Sequence, residues 1–167
     1  MNRSNNSKFV YLISPNNIKN KNFFVELEKV LSSKKVSFFQ LRLKNKKINY
    51  QFLIGKKIKK ICKKFKVKFI INDNPFLAKK INADGCHLGQ KDTNIKEAKK
   101  IIGNKIIGIT CHNSIKLAKE AIKNKANYIA FGAFFPTKTK KAKYKSNLKT
   151  INKAKELTNI PIIAIGG

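Results

Sequence analysis

The chain has 167 residues, of which 42% are hydrophobic, so it can form one domain over residues 1–167 with a buried core. No apolar run approaches the roughly 18 residues of a membrane span, and we expect no membrane partner. The formal net charge of +30 would favour a nucleic acid, but only Arg3 and Arg42 are arginines and the lysines are spread along the chain. We therefore expect no nucleic-acid partner, and a basic RNA-associated protein is only an alternative.

Seven short runs of apolar, β-branched or aromatic residues predict strands, in chain order at 9–13, 36–41, 67–71, 84–88, 106–110, 128–132 and 160–165. The segments between them have helical period. The first has an apolar face from Phe23 to Leu31, the fourth runs from Thr93 to a stop at Gly103, and another begins near Ser114. Such alternation indicates parallel strands, and it fits a doubly wound sheet and most of a (βα)8 barrel equally well.

Polar residues at the carboxyl ends of the strands are the candidates for chemistry, because ligands of α/β folds bind there. The second strand ends with Gln40, Arg42 and Lys44, which a period of two places on one face. Arginine can bind phosphate oxygens through two hydrogen bonds and lysine adds a point charge, so this face suits a phosphorylated substrate. The alternative is a solvated edge of a lysine-rich protein.

Two of the eight acidic residues follow neighbouring strands: Asp73 comes after Asn72 at the end of the third strand, and Asp92 comes after the fourth. Two carboxylates are enough to hold Mg²⁺ together with substrate phosphates. On spacing alone, Asp92 could instead cap the following helix, and Asp73 could be a turn residue before Pro75.

The two histidines and the loop after the sixth strand carry weaker signals. His87 and His112 are each more simply interpreted as hydrogen-bonded structural residues than as catalysts. The loop holds Thr137, Thr139 and Lys140, whose hydroxyl and ammonium groups can donate to an anionic leaving group.

The three cysteines indicate a reducing compartment. Cys62, Cys86 and Cys111 are odd in number and lack C-x-x-C spacing, which argues against a disulfide framework and a zinc site. Cys62 lies on an apolar helical stripe and is predicted to be a core residue. Together with a polar N-terminus, this predicts a cytoplasmic protein.

Six strings in order resemble the thiamine phosphate synthase family, and the match covers the chain from Tyr11 onward. The strings are QLRLK at 40–44, IND at 71–73, ADGCHLGQKD at 83–92, GITCH at 108–112, FGAFFPTKTK at 131–140 and IPIIAIGG at 160–167. The resemblance implies a TIM-type (βα)8 barrel rather than a doubly wound sheet.

The resemblance also implies an enzyme, a transferase with small-molecule substrates. The family condenses 4-amino-2-methyl-5-hydroxymethylpyrimidine diphosphate with 4-methyl-5-(2-phosphoethyl)thiazole, giving thiamine phosphate and pyrophosphate, and requires Mg²⁺. Its mechanism is regarded as dissociative, so the protein mainly stabilises the departing pyrophosphate. Thiazole tautomerase-like enzymes and non-catalytic barrel relatives are the nearest alternatives.

Site residues follow from the same resemblance, position by position. Contacts to the pyrimidine diphosphate fall on Gln40, Arg42, Lys44 and Asn72, and the metal ligands fall on Asp73 and Asp92. Thr110 stands where the family generally has serine near the pyrophosphate, a change that keeps the hydroxyl donor.

The remaining implied contacts lie late in the chain. Thr137 and Thr139 match contacts to the thiazole phosphate, Lys140 matches a pyrophosphate contact, and Gly167 matches a backbone position at the thiazole phosphate. The implied catalytic residues are Arg42, Lys44, Thr110 and Lys140.

Length is the serious departure from the family. Its members usually continue for roughly 40 more residues through an eighth strand and helix. We therefore expect a barrel truncated after its seventh strand, with the C-terminal strand and helix missing. A fragment, a partner chain that completes the barrel, and a degenerate copy are the three explanations, and the oligomeric state stays open.

Overall fold

The computed structural model of the protein describes residues 8–18, 22–135 and 144–166, in which strands and helices alternate. The strands are β1 (Val10–Ile13), β2 (Val36–Leu41), β3 (Lys68–Asn72), β4 (Gly85–Leu88), β5 (Ile106–His112), β6 (Tyr128–Gly132) and β7 (Ile162–Ile165). The helices are α1 (Asn22–Ser32), α2 (Ile48–Lys64), α3 (Pro75–Ile81), α4 (Ile95–Ile102), α5 (Ile115–Lys123) and α6 (Leu148–Leu157). Among these helices, none combines the length and the apolar composition required to cross a bilayer.

The sheet decides between the two architectures that the sequence pattern left open. Each strand pairs in parallel with the next one along the chain, in the order β1-β2-β3-β4-β5-β6-β7. A doubly wound sheet would reverse its strand order at a switch point. The hydroxyls of Tyr11 on β1 and Tyr128 on β6 lie 2.7 Å apart, so the sheet curls until distant strands face each other. The described strands therefore form a nearly closed, seven-stranded TIM-type barrel, and the predicted fold class is confirmed.

Four helices begin at a side-chain cap, which explains where the chain turns from loop to helix. The capping oxygens accept from the backbone N–H three residues later, and they belong to Asn74, Asn94, Ser114 and Asn147. The predicted start near Ser114 is thus confirmed. The fourth helix begins later than predicted, at Ile95 rather than Thr93, because Asn94 provides the cap.

The core has two layers on opposite faces of the sheet. Phe39, Phe69 and Phe131 are buried on the outer face, where they belong to one cluster with the apolar faces of the helices. Cys62 of α2 belongs to this cluster and is 1% exposed, as predicted. The inner face carries a smaller cluster around Tyr128, and polar side chains such as Gln40 and His87 are buried beside it.

Candidate active site

The carboxyl end of β2 carries three of the predicted site residues. Gln40 is 2% exposed, and its amide Nε2 donates to the hydroxyl of Tyr11 at 3.1 Å, which places it inside the barrel. Arg42 is half-buried, and its backbone N–H donates to Ser14 Oγ at 2.9 Å. Lys44 is more exposed, beyond the end of the strand. The exposure of these three residues therefore increases from the barrel interior towards its mouth.

Lys44 meets the end of β3 at the same mouth. Its Nζ lies 3.0 Å from Asp73 Oδ2. Asp73 has a left-handed backbone with φ of 62°, and its N–H donates to the carbonyl oxygen of His87 at 2.7 Å. Lys44, Asn72 and Asp73 line a cavity of about 480 Å³. The structure thus brings together predicted residues from β2 and β3.

Asp92 lies in the loop after β4, and it is not the cap of α4. Asn94 caps that helix, whereas Asp92 Oδ2 accepts from the backbone N–H of Gly89 at 2.7 Å and closes the loop. The interpretation of Asp92 as a cap is therefore wrong. Asp73 does lie in the turn before Pro75, but Asn74 caps α3. Neither aspartate is required to start a helix.

The two carboxylates are close enough to affect each other. Partial burial raises the pKa of Asp92, and the neighbouring Asp73 raises it further, while Lys44 and the Gly89 N–H oppose the shift. A raised pKa means that the negative form of Asp92 is disfavoured in this protein as it stands. A cation between the carboxylates would remove that penalty.

The donor set fits Mg²⁺ and not a metal that needs many protein ligands. Within the described ranges, no group of three or more His, Cys, Asp or Glu side chains could hold a metal. Mg²⁺ usually keeps several waters and takes one or two carboxylates plus substrate phosphates. Asp73 and Asp92 supply two such carboxylates at the mouth of the barrel.

A buried chain of hydrogen bonds crosses the barrel from β2 to β5. Gln40 donates to Tyr11 at 3.1 Å, and the hydroxyls of Tyr11 and Tyr128 are 2.7 Å apart. His87 Nδ1 lies 2.9 Å from the Tyr128 hydroxyl, and His87 Nε2 lies 2.8 Å from Thr110 Oγ1. The prediction that His87 is a hydrogen-bonded imidazole is confirmed, and Thr110 is tied to Gln40 through the barrel interior.

Tyr11 and Tyr128 belong to the site, although no sequence motif indicated them. Their hydroxyls are buried, and burial raises the pKa of both. A signal was available, because a tyrosine at an inward position of a buried strand needs a partner for its hydroxyl. Gln90 was also missed; its Nε2 donates to the Thr110 carbonyl oxygen at 2.5 Å and holds the end of β5.

We expect the buried His87 to make the protein acid-sensitive. Burial lowers the pKa of His87 from 6.5 to about 4, so the unfolded chain binds the proton more readily. The contribution of neutral His87 to the free energy of unfolding is fully present above pH 6.5. It is lost as the pH falls from 6.5 to about 4, and the total loss is about 3 kcal/mol. Denaturant unfolding of the parent and of His87→Asn across this range measures it.

The comparison with His87→Asn isolates the histidine. Asp92, whose raised pKa acts in the opposite direction, is present in both proteins and cancels in the difference. The variant should give the flatter dependence of unfolding free energy on pH. Parallel curves for the two proteins would show that His87 does not titrate on unfolding.

His112 is the last residue of β5. Its ring lies 4.4 Å from the ring of Tyr144, centroid to centroid, and its φ is 53°. The next residue, Asn113, accepts from Thr150 Oγ1 at 2.6 Å and from Ser146 Oγ at 3.3 Å. These contacts fasten residues 144–150 beside the end of β5.

Four predicted residues lie outside the described residues. They are Thr137, Thr139, Lys140 and Gly167. Their assigned contacts stay predictions. Ala133, which precedes the first three of these residues, is hydrogen-bonded to two residues that follow them. Its N–H donates to the Tyr144 carbonyl oxygen at 3.1 Å, and its carbonyl oxygen accepts from the Ser146 N–H at 2.9 Å.

A second cavity, of about 530 Å³, lies at the opposite end of the barrel and is lined by several lysines. Three of these lysines have structural partners, and one is Lys68, whose Nζ lies 3.9 Å from Asp84 Oδ1. Lys59 Nζ donates to the Asn82 carbonyl oxygen at 2.5 Å, and Lys105 Nζ donates to the Ala83 carbonyl oxygen at 2.8 Å. Because this is the end where TIM-type barrels carry residues for stability, we assign no chemistry to it.

Comparison with known proteins agrees with this geometry. The sequence model of the family described as thiamine monophosphate synthase matches residues 10–167. The thiamine-phosphate synthase of Pelagibacter ubique is 63% identical over 162 residues, covering 97% of this chain and 78% of that protein. The thiamine-phosphate synthase of Nitrosomonas eutropha is 39% identical over 159 residues, covering 95% of this chain and 74% of that protein.

A solved structure is similar in fold and sequence. The thiamine phosphate pyrophosphorylase from Pyrococcus furiosus superposes with a TM-score of 0.82 at 30% identity, covering 95% of this chain and 75% of that one. The family match spans nearly the whole chain, and the strand ends that carry the candidate site lie within it. The chain therefore belongs to the thiamine monophosphate synthase family.

Proposed function

We propose that this chain catalyses the condensation of 4-amino-2-methyl-5-hydroxymethylpyrimidine diphosphate with 4-methyl-5-(2-phosphoethyl)thiazole to thiamine phosphate and pyrophosphate. One observation carries the proposal beyond family membership: Lys44, Asp73 and Asp92 meet at the carboxyl end of the barrel, where enzymes of this fold have their active sites. That cluster combines a cation for phosphate oxygens with carboxylates for a hard metal.

The reaction breaks the bond between the pyrimidine methylene carbon and the pyrophosphate oxygen, and it forms a bond from that carbon to the thiazole nitrogen. The electron pair of the broken bond leaves with the pyrophosphate. Charge therefore grows on the departing group, and the task of the protein is to stabilise it. We assign Arg42, Lys44, Thr110 and Lys140 to that task.

Asp73 and Asp92 would hold Mg²⁺. When bound, the ion neutralises part of the pyrophosphate charge. The Lys44 ammonium, 3.0 Å from Asp73 in the structure, can then serve the pyrophosphate oxygens as well as the carboxylate. Gln40 and Asn72 are assigned to the pyrimidine diphosphate, and Thr137, Thr139 and Gly167 to the thiazole phosphate.

The compartment is part of the proposal. Cys62, Cys86 and Cys111 are free and buried. Burial raises the pKa of Cys62 and of Cys111 to about 12, so these thiols are protonated and unreactive. Reduced, unreactive cysteines support a location in the cytoplasm.

Product formation by the purified chain tests the activity. The chain is given both substrates and Mg²⁺, and thiamine phosphate is measured with and without EDTA. We expect product that disappears with EDTA and returns when Mg²⁺ is added in excess, because both metal ligands lose their role without the ion.

Two results would contradict the proposal. Product that persists in EDTA would remove Asp73 and Asp92 from the metal role. A folded chain that binds pyrophosphate with Mg²⁺ but forms no product would instead be a non-catalytic relative of the family.

A further inference from the structure

The buried chain of hydrogen bonds joins Gln40 to Thr110. Both residues contact the substrate in the proposed function, and the inference rests on that function for their roles. The three residues between them are Tyr11, His87 and Tyr128. Each tyrosine hydroxyl has two partners in this chain of hydrogen bonds, and each ring nitrogen of His87 has one. The direction of one hydrogen bond therefore sets the direction of the next.

The direction starts at Gln40, because an amide nitrogen can only donate. Its Nε2 donates to the hydroxyl oxygen of Tyr11 at 3.1 Å. Tyr11 then has its single proton left for its other partner, the hydroxyl oxygen of Tyr128 at 2.7 Å. If Tyr128 donated instead, the buried proton of Tyr11 would have no acceptor among the described residues.

The next hydrogen bond, from Tyr128 to His87, has a fixed direction as well. Tyr128 accepts from Tyr11, so its own proton goes to His87 Nδ1 at 2.9 Å. That nitrogen must carry a lone pair and no proton. A neutral imidazole has one proton, which is then on Nε2, and Nε2 donates to Thr110 Oγ1 at 2.8 Å.

We propose that this directed chain of hydrogen bonds holds His87 in the Nε2–H tautomer and thereby keeps the Thr110 hydroxyl proton free for the anionic substrate. Thr110 Oγ1 already accepts from His87, so its proton has no acceptor within the described part of the protein. Thr110 is half-buried at the carboxyl end of β5, where Gln90 holds its carbonyl oxygen. An anion bound there needs hydrogen-bond donors, and the Thr110 hydroxyl is one. His87, Tyr11 and Tyr128 are positioning residues in this account.

The reverse order makes an opposite prediction. If the carbonyl oxygen of the Gln40 amide faced Tyr11, every bond would turn around and His87 would carry its proton on Nδ1. Thr110 would then spend its proton on His87 and present only lone pairs to the anion. Such a site would repel the group that it is meant to stabilise.

Nitrogen NMR of the ¹⁵N-histidine-labelled protein at neutral pH distinguishes the two orders without any measurement of activity. His87→Gln removes the His87 signals and so assigns them against those of His112. We expect a protonated Nε2 and an unprotonated Nδ1 for His87. A proton on Nδ1 would overturn the proposal.

A matched pair of variants tests the consequence for the anion. Tyr128→Phe keeps the ring and removes the hydroxyl that links Tyr11 to His87. Tyr50→Phe also removes a hydroxyl that is hydrogen-bonded, to the Ile18 carbonyl oxygen at 2.6 Å, but it lies outside the chain of bonds. Calorimetric titration with inorganic pyrophosphate and Mg²⁺ compares them.

We expect Tyr128→Phe to weaken pyrophosphate binding roughly three- to tenfold and to mix the His87 tautomers, whereas Tyr50→Phe changes neither. Thr110→Val should weaken binding as Tyr128→Phe does, because valine lacks the hydroxyl. Equal affinity in Tyr128→Phe and Tyr50→Phe would overturn the role of the chain at the anion. An Nε2–H tautomer in a protein that binds pyrophosphate but makes no thiamine phosphate would contradict the proposed function and support the hydrogen-bond order.

Discussion

Replacing Asp92 with asparagine is expected to reduce the rate of thiamine phosphate formation at least about a hundredfold while the fold is retained. Asparagine keeps an Oδ1 that can accept from the Gly89 N–H, so the loop after β4 stays closed. What it removes is the negative charge that pairs with Asp73 to hold Mg²⁺. Steady-state turnover over a range of Mg²⁺ concentrations measures the loss.

The folded state of Asp92→Asn should be at least as stable as that of the parent near neutral pH. Burial and Asp73 raise the pKa of Asp92, so the native protein carries a disfavoured charge there. Removing that charge relieves the repulsion with Asp73. Loss of activity together with unchanged or increased thermal stability would separate a catalytic cause from unfolding.

Asp84→Asn provides the matched control for this variant. Asp84 also accepts a backbone N–H through its carboxylate, that of Phe69 at 2.9 Å, but it lies just before β4, at the opposite end of the barrel. The same chemical change there should leave turnover near that of the parent. An Asp92→Asn variant as active as Asp84→Asn would refute the metal assignment.

Replacing Gly108 with alanine is expected to destabilise the barrel by about 3 kcal/mol. A Cβ at Gly108 would lie 1.8 Å from Cζ of Tyr128 and within 2.3 Å of both Cε atoms of that ring. Strand β5 is paired on both sides and cannot withdraw, so the ring must move. Denaturant unfolding of the variant measures the cost.

A double-mutant cycle shows whether the ring is the cause. Tyr128→Ala removes the atoms that the new Cβ would meet, so adding Gly108→Ala to it should cost much less than adding it to the parent. Additive effects would mean that the backbone, and not the ring, resists the substitution.

Gly55→Ala serves as the control for a buried glycine. Its Cβ would lie 2.5 Å from the terminal methyl of Ile81, a flexible side-chain end that can rotate away. Alanine also favours the α2 helix by roughly 1 kcal/mol over glycine. We expect a change in unfolding free energy within about 1 kcal/mol for this variant.

Local patterns were sufficient for most of the elements. The seven strands and the helices at Ser114 and before Gly103 follow from apolar period and from capping residues, which act over a few residues. The inward position of Gln40 on β2 follows from the two-residue period of a strand. Motif strings also located Asp73 and Asp92 at strand ends.

The failure at α4 shows where local reasoning stops. Asp92 and Asn94 are equally good caps by residue type, and both precede the same apolar face. The loop geometry decides between them: Asp92 closes onto Gly89, which leaves Asn94 to accept from Glu97. That choice depends on the path of the β4 loop, which no propensity describes.

The sequence by itself determined which segments become strands and helices, and which polar residues stand at strand ends. Only the tertiary structure decided that the strands follow one another around a barrel, because strand order is a property of long-range pairing. It also decided which side chains meet inside. Tyr11 and Tyr128 are separated by 117 residues, yet their hydroxyls bond because β1 and β6 face each other across the interior, at a distance that the curl of the sheet sets.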